Sequence, residues 1–256
     1  MELIYIYSMI GLIGGITAGM LGLGGGIIFV PGLMLVHKYY NLFNGFELQA
    51  AVYTSLICII FAGSTSAYLH HTNGLINKDI VRRYFLYVSI GCFIGIYILE
   101  HTSSGLLENI YSIILILLAL LLISDAKIIK SNIGILQSIG GVYFFLNGII
   151  SSLMGIGGGT LSVPYLSFLI KDIKKSIATA SVIGLVIAIT SIIYMYVLNS
   201  DIFIDKINQL SLMVIIPTSI IGSYTGVYLL KVVKPDKVKN IFSILLLFVA
   251  CYLLVD

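Results

Sequence analysis

The sequence predicts an all-α, polytopic membrane protein of two inverted-topology repeats, each a glycine-kinked long segment followed by three transmembrane helices. Three observations predict it. Hydrophobic residues make up 59% of the chain and charged residues only 10%, with a mean hydropathy of +1.09; a soluble domain carries about a quarter charged residues. The stretch Gly22-Leu-Gly-Gly-Gly-Ile-Ile-Phe-Val-Pro31 returns as Gly155-Ile-Gly-Gly-Gly-Thr-Leu-Ser-Val-Pro164, 133 positions later. Basic residues, finally, fall unevenly between loops, with opposite bias in the two halves.

Eight apolar segments follow in order: 3–36, 46–69, 80–99, 106–124, 135–170, 176–198, 207–230 and 238–255. Six have the roughly 20 residues that cross a bilayer. The first and fifth are too long for one span and too short for two, and each carries one copy of the glycine motif at its middle. Glycine costs about 1 kcal/mol per residue relative to alanine in a helix, so each segment is expected to break there and turn back. The broken backbone must still be satisfied inside the protein, because lipid offers it no partner. The start, Met1-Glu2-Leu3, lacks the basic stretch of a cleavable signal, so the first helix is expected to act as its own insertion signal. Cys58, Cys92 and Cys251 lie in apolar runs without a CxxC pattern or a histidine partner, and read as small packing residues.

The duplication extends beyond the glycines. Thr54-Ser55 falls on Ala180-Ser181, and Ser64-Thr-Ser-Ala-Tyr68 on Thr190-Ser-Ile-Ile-Tyr194, at an offset of 126. Gly91-x-x-x-Gly95-x-Tyr97 matches Gly222-x-x-x-Gly226-x-Tyr228, and Asn109-Ile-Tyr-Ser112 matches Asn240-Ile-Phe-Ser243, both at 131. Four matches in one order divide the chain into repeats 1–130 and 131–256, packed as one bundle.

Topology follows from the basic residues. If each long segment returns to its starting side, the N-terminal side holds Lys38 and Lys206 and the other side holds the remaining twelve of fourteen. If each crosses once, the split is six against eight. The positive-inside rule favours the first arrangement, which puts both termini outside the cytoplasm and makes the repeats inverted.

The broken segments are the candidate site. Helices that begin after Gly26 and Gly159 would aim free N–H groups and a positive dipole end into the membrane interior, a setting suited to an anion. No Lys or Arg lies near the middle of an apolar segment, so backbone N–H groups and hydroxyls would have to hold it. The candidates are Gly24, Gly25, Gly26, Gly157, Gly158 and Gly159, with the side chains Thr54, Ser55, Thr160, Ser162, Thr179, Ser181 and Asn147. Asn147 reads first as a support for the second loop and next as a substrate contact. Glycines can instead serve only close helix packing, the first reading of Gly11-x-x-x-Gly15-x-x-x-Gly19 and of the 91/95 and 222/226 pairs. The four histidines, His37, His70, His71 and His101, are placed near membrane edges, which disfavours an intramembrane enzyme. No cofactor or metal is implied. The expected partners are a small anionic substrate and membrane lipid, with a homo-oligomer left open and no nucleic acid.

The paired motifs ending in Val-Pro (Gly22 to Pro31, Gly155 to Pro164), the two-fold repeat and the hydroxyl-rich second helix resemble the sulfite exporter TauE/SafE family. The resemblance covers essentially the whole chain. It implies secondary transport, in the cell membrane and without ATP, of sulfur-containing anions such as sulfite or organosulfonates. Thr160 and Ser162 replace Ile27 and Phe29 of the first copy, so a site drawn from both motifs would be asymmetric. Three other readings stay open: an anion channel using the loops as a filter, a transporter of a non-sulfur anion, and a non-transporting scaffold.

Overall fold

The computed structural model describes residues 1–22, 24–43, 45–123, 133–205, 207–230 and 232. The eighth apolar segment, the match at Asn240–Ser243, Cys251, and Lys127, Lys130, Lys206, Lys231, Lys234, Lys237 and Lys239 lie outside the described residues. Among the described residues there are helices and no strand: α1 (Glu2–Leu21), α2 (Gly26–Tyr39), α3 (Glu47–Thr72), α4 (Lys78–His101), α5 (Ser104–Ile123), α6 (Ile133–Leu153), α7 (Gly159–Ile170), α8 (Ile173–Asp205) and α9 (Gln209–Leu229). Five of them, α1, α3, α4, α8 and α9, are long and apolar enough to cross a membrane. The protein is thus a multi-pass helical membrane protein.

Both long segments are broken at their glycines. Gly22, at φ 67°, ends α1 in the left-handed region, and Gly25, at φ 82°, starts α2. Gly158, at φ 64°, does the same for α7. A side chain is strained at such angles, which is why the sequence spends glycine there. The second helix of each pair lies back along the first. A Cβ on Gly14 would strike the Phe29 ring, and one on Gly32 would sit 3.0 Å from Ile10. Asn147 bonds Ser162, and the Tyr143 ring stacks on Tyr165 with centroids 4.3 Å apart. In both pairs residue numbers fall along one helix as they rise along the other, so each pair is antiparallel. At 14 and 12 residues and about 1.5 Å per residue, α2 and α7 are far shorter than the roughly 30 Å of a hydrocarbon core.

The halves interleave. α1 packs along α9 and α4 along α6, while α3 and α8 form the centre. A Cβ on Gly222 would meet the Leu12 carbonyl and one on Gly226 the Ile16 carbonyl. A Cβ on Gly91 would meet the Phe145 carbonyl and one on Gly95 the Ile149 carbonyl. These are the same contacts displaced by 131 and 133 positions. The fourth-helix glycines of each half let its backbone lie against the first helix of the other, as small residues do at membrane helix interfaces.

The two ends of the bundle differ in charge. The Asn77 N–H donates to Thr179 Oγ1 at 3.1 Å, so the starts of α4 and α8 share an end. That end carries Lys78, Arg82, Arg83, Lys171, Lys174 and Lys175. At the other end of α3, Gln49 Nε2 meets Ser104 Oγ at 3.4 Å, Tyr53 donates to Glu100, and Lys38 pairs with Glu108 at 3.1 Å. Large apolar side chains such as Leu86, Ile90, Leu117, Met213 and Ile221 stand exposed, as lipid contact requires.

Candidate functional site

The two breaks meet inside the bundle. A Cβ on Gly24 would lie 2.8 Å from Gly157 Cα, and one on Gly26 would run into the Gly155 carbonyl and lie 2.8 Å from Ile156 Cα. A Cβ on Gly184 of α8 would strike the Gly157 carbonyl. Ile59 of α3 closes over Gly24 and Gly26, and Ile177 of α8 over Gly22. The glycines are therefore required twice, by torsion at Gly25 and Gly158 and by backbone-to-backbone approach at Gly24 and Gly26. Neither α2 nor α7 has a side-chain cap at its start. Their first N–H groups consequently keep the partial positive charge of a helix N-terminus.

Side chains then hold the second loop. Asn147 Nδ2 donates to Ser162 Oγ at 2.8 Å and reaches toward the Gly158 carbonyl at 3.5 Å. Its Oδ1 accepts from Ser151 Oγ at 2.7 Å. Ser55 of α3 donates to the Gly155 carbonyl at 2.8 Å. All four side chains are buried, and a hydrogen bond in such surroundings is stronger than in water.

The predicted side chains divide into three groups. Ser55, Asn147 and Ser162 come together at the second loop. Thr54 and Thr160 are 0% and 1% exposed, and among the described residues neither hydroxyl has a hydrogen-bond partner. Thr179 and Ser181 bond their own helix, at the Lys175 and Ala178 carbonyls. Thr179 also takes the Asn77 N–H at the α3–α4 turn. Ser151 and Ile187 were not among the expected residues. Ser151 stands four residues after Asn147, a spacing that puts the two on one helix face and could have flagged it; Ile187, whose Cδ1 closes on Gly158, carries no such signal.

The histidines also separate. His70 is buried, with a ring nitrogen 3.3 Å from the Gly19 carbonyl, and His37 is buried with Nδ1 3.2 Å from the Glu47 carbonyl. His71 and His101 are exposed. In the last turn of α3, His70 thus faces the bundle and closes the end of α1, while its neighbour His71 faces outward. Among the described residues no cluster of three or more His, Cys, Asp or Glu could hold a metal ion.

Membrane-crossing helices packed with two short uncapped helices, whose glycine loops touch, define a polytopic helical membrane protein, and the comparisons make it a membrane transporter. The chain belongs to the sulfite exporter TauE/SafE family, whose model matches residues 7–253. It is similar to the "Probable membrane transporter protein YunE" of Bacillus subtilis, at 28% identity over 98% of this chain and 97% of the relative. A "Probable membrane transporter protein" of Methanocaldococcus jannaschii is 25% identical over 95% and 92%, and one of Haemophilus influenzae 28% over 73% and 71%. No solved structure matches the chain.

Proposed function

We propose that this protein is a secondary transporter of small sulfur-containing anions, sulfite or organosulfonates, working by alternating access. Its substrate site lies near the membrane midplane, where the two glycine loops meet between two inverted repeats, 1–130 and 131–256. The meeting of Gly24 and Gly26 with Gly155 and Gly157 is the observation that carries this reading. It brings two uncapped helix starts to one place, and such starts favour an oxyanion. The substrate class is taken from the family, whose description is sulfite exporter. Buried hydroxyls, with no Lys or Arg in the middle of the helices, suit an anion that must also be released.

The α1–α2 and α6–α7 pairs are read as re-entrant hairpins that enter from opposite faces. Their antiparallel packing and the short reach of α2 and α7 support this. The shared end of α4 and α8 supports it too, because a single crossing by each long segment would separate Lys78 from Lys171 across the membrane. With that end in the cytoplasm, both termini lie outside.

The test is flux of sulfite, sulfoacetate and taurine into proteoliposomes. Saturable sulfite or sulfonate flux is expected, abolished in Gly25→Leu and Gly158→Leu protein that still inserts and elutes as a single species. Wild-type rates in both variants would remove the loops from the mechanism. Flux that rises linearly with concentration and gives unitary currents would make the protein a channel, and flux of carboxylates alone would move the cargo to another class.

A further inference from the structure

The two loops match in sequence position but not in chemistry. Position by position, at an offset of 133, Asn147, Ser151, Thr160 and Ser162 of the second half correspond to Gly14, Ala18, Ile27 and Phe29 of the first. At these four positions the polar side chains therefore stand at the second loop only. In the first half the Phe29 ring fills the corner. A Cβ on Gly14 would strike its edge, and one on Gly25, the residue that starts α2, would lie 2.8 Å from Cε2. The ring thus folds back over the beginning of its own helix, and Ile27 beside it is fully buried.

In the second half the same corner is held by the Asn147–Ser162 and Asn147–Ser151 hydrogen bonds. The Asn147 amide is committed to the protein on both its oxygen and its nitrogen. Thr160 is different. It occupies the first turn of the 12-residue α7, directly after Gly159, and is 1% exposed. Among the described residues its hydroxyl has no partner. A buried hydroxyl left unpaired forfeits the hydrogen bonds it made in water. Natural sites accept that cost where a ligand supplies the missing partner.

We infer that the anion is recognised by the second loop alone: Thr160 Oγ donates to a substrate oxygen beside the free N–H groups that open α7, while Phe29 plugs the matching position over α2. This rests on the transport reading above and narrows it from two loops to one. Asn147 is then a positioning residue, which fixes Ser162 and the Gly158 turn, and the first loop serves as the wall against which the second is packed.

The experiment measures sulfite KM and kcat in proteoliposomes, with the melting temperature of each purified variant in the absence of anion. Thr160→Val is nearly isosteric and removes only the unpaired hydroxyl. It is expected to raise the sulfite KM at least tenfold while leaving the melting temperature unchanged or higher, since a structural hydroxyl would lower it. Thr160→Ser keeps a donor and is expected to stay within threefold of wild type. Ile27→Val, the matching change in the first half, is expected to leave KM unchanged. Wild-type KM in Thr160→Val, or equal losses in Thr160→Val and Ile27→Val, would overturn the one-sided site while leaving transport intact. Absence of sulfite and sulfonate flux in the wild-type protein would instead overturn the transport reading, and this inference with it.

Discussion

Asn147 shows how one side chain determines the shape of a loop. It sits near the end of α6, is 1% exposed, and joins Ser151 on its own helix to Ser162 on the helix that follows the glycines. Asn147→Ala would strand two buried hydroxyls at once, and an unsatisfied buried polar group costs about 1–3 kcal/mol. The variant is expected to unfold several degrees below wild type in a detergent melt, with Ser151→Ala lowering it less, because that change strands one acceptor only. An unchanged melt for Asn147→Ala would mean the amide does not hold the loop. The residue was legible in sequence as a polar amide in an apolar run before Gly155. Thr179 was legible only as a hydroxyl on the helix after the second motif. Its position against Asn77 depends on where along α8 the neighbouring helices cross, and no local pattern encodes that.

At the scale of helices, the decisive feature is the reciprocal seam. Gly91 and Gly95 press on Phe145 and Ile149, and Gly222 and Gly226 press on Leu12 and Ile16. Because both seams use the same register, they are expected to respond alike. Gly91→Leu and Gly222→Leu would each force a side chain against a backbone carbonyl, and overpacking of this kind costs typically 1–3 kcal/mol, occasionally more. Both are expected to cut the yield of monodisperse protein severalfold, by similar factors. Tyr97→Leu and Tyr228→Leu, at the exposed positions 49% and 65% accessible on the same helices, are expected to leave it unchanged. A large loss for one glycine and none for the other would deny the two seams equal weight. The spacing of these glycines was readable in the sequence, and so was their packing character. The partner was not: a small-xxx-small stripe says that a backbone approaches closely, and does not say that it belongs to the opposite half's first helix. The breaks at the glycines were readable for a simpler reason, since torsion and length act locally.

For the whole molecule, charge and connectivity support the proposed arrangement by independent routes. If α1–α2 and α6–α7 each return to their starting face, the loops at 73–77 and 171–172 fall on one side. The Asn77–Thr179 hydrogen bond places them together. Lys78, Arg82, Arg83, Lys171, Lys174 and Lys175, beside those loops, then lie on that side, opposite Lys38 and its partner Glu108, and by the positive-inside rule we propose it as the cytoplasmic one. If the long segments crossed, Lys78 and Lys174 would face opposite compartments and α2 could not lie back on α1. Single cysteines distinguish the two arrangements. In a background with Cys58, Cys92 and Cys251 replaced by alanine, Glu2→Cys and Lys38→Cys are expected to react with a membrane-impermeant maleimide added to intact cells. Lys78→Cys and Lys174→Cys are expected to react only after permeabilisation. Labelling of Lys78→Cys and Lys174→Cys from opposite sides would rule out the fold-back hairpins and with them the inverted repeat. Labelling of all four in the reverse sense would keep the repeat and turn the molecule over, so that the loops would open first to the other compartment.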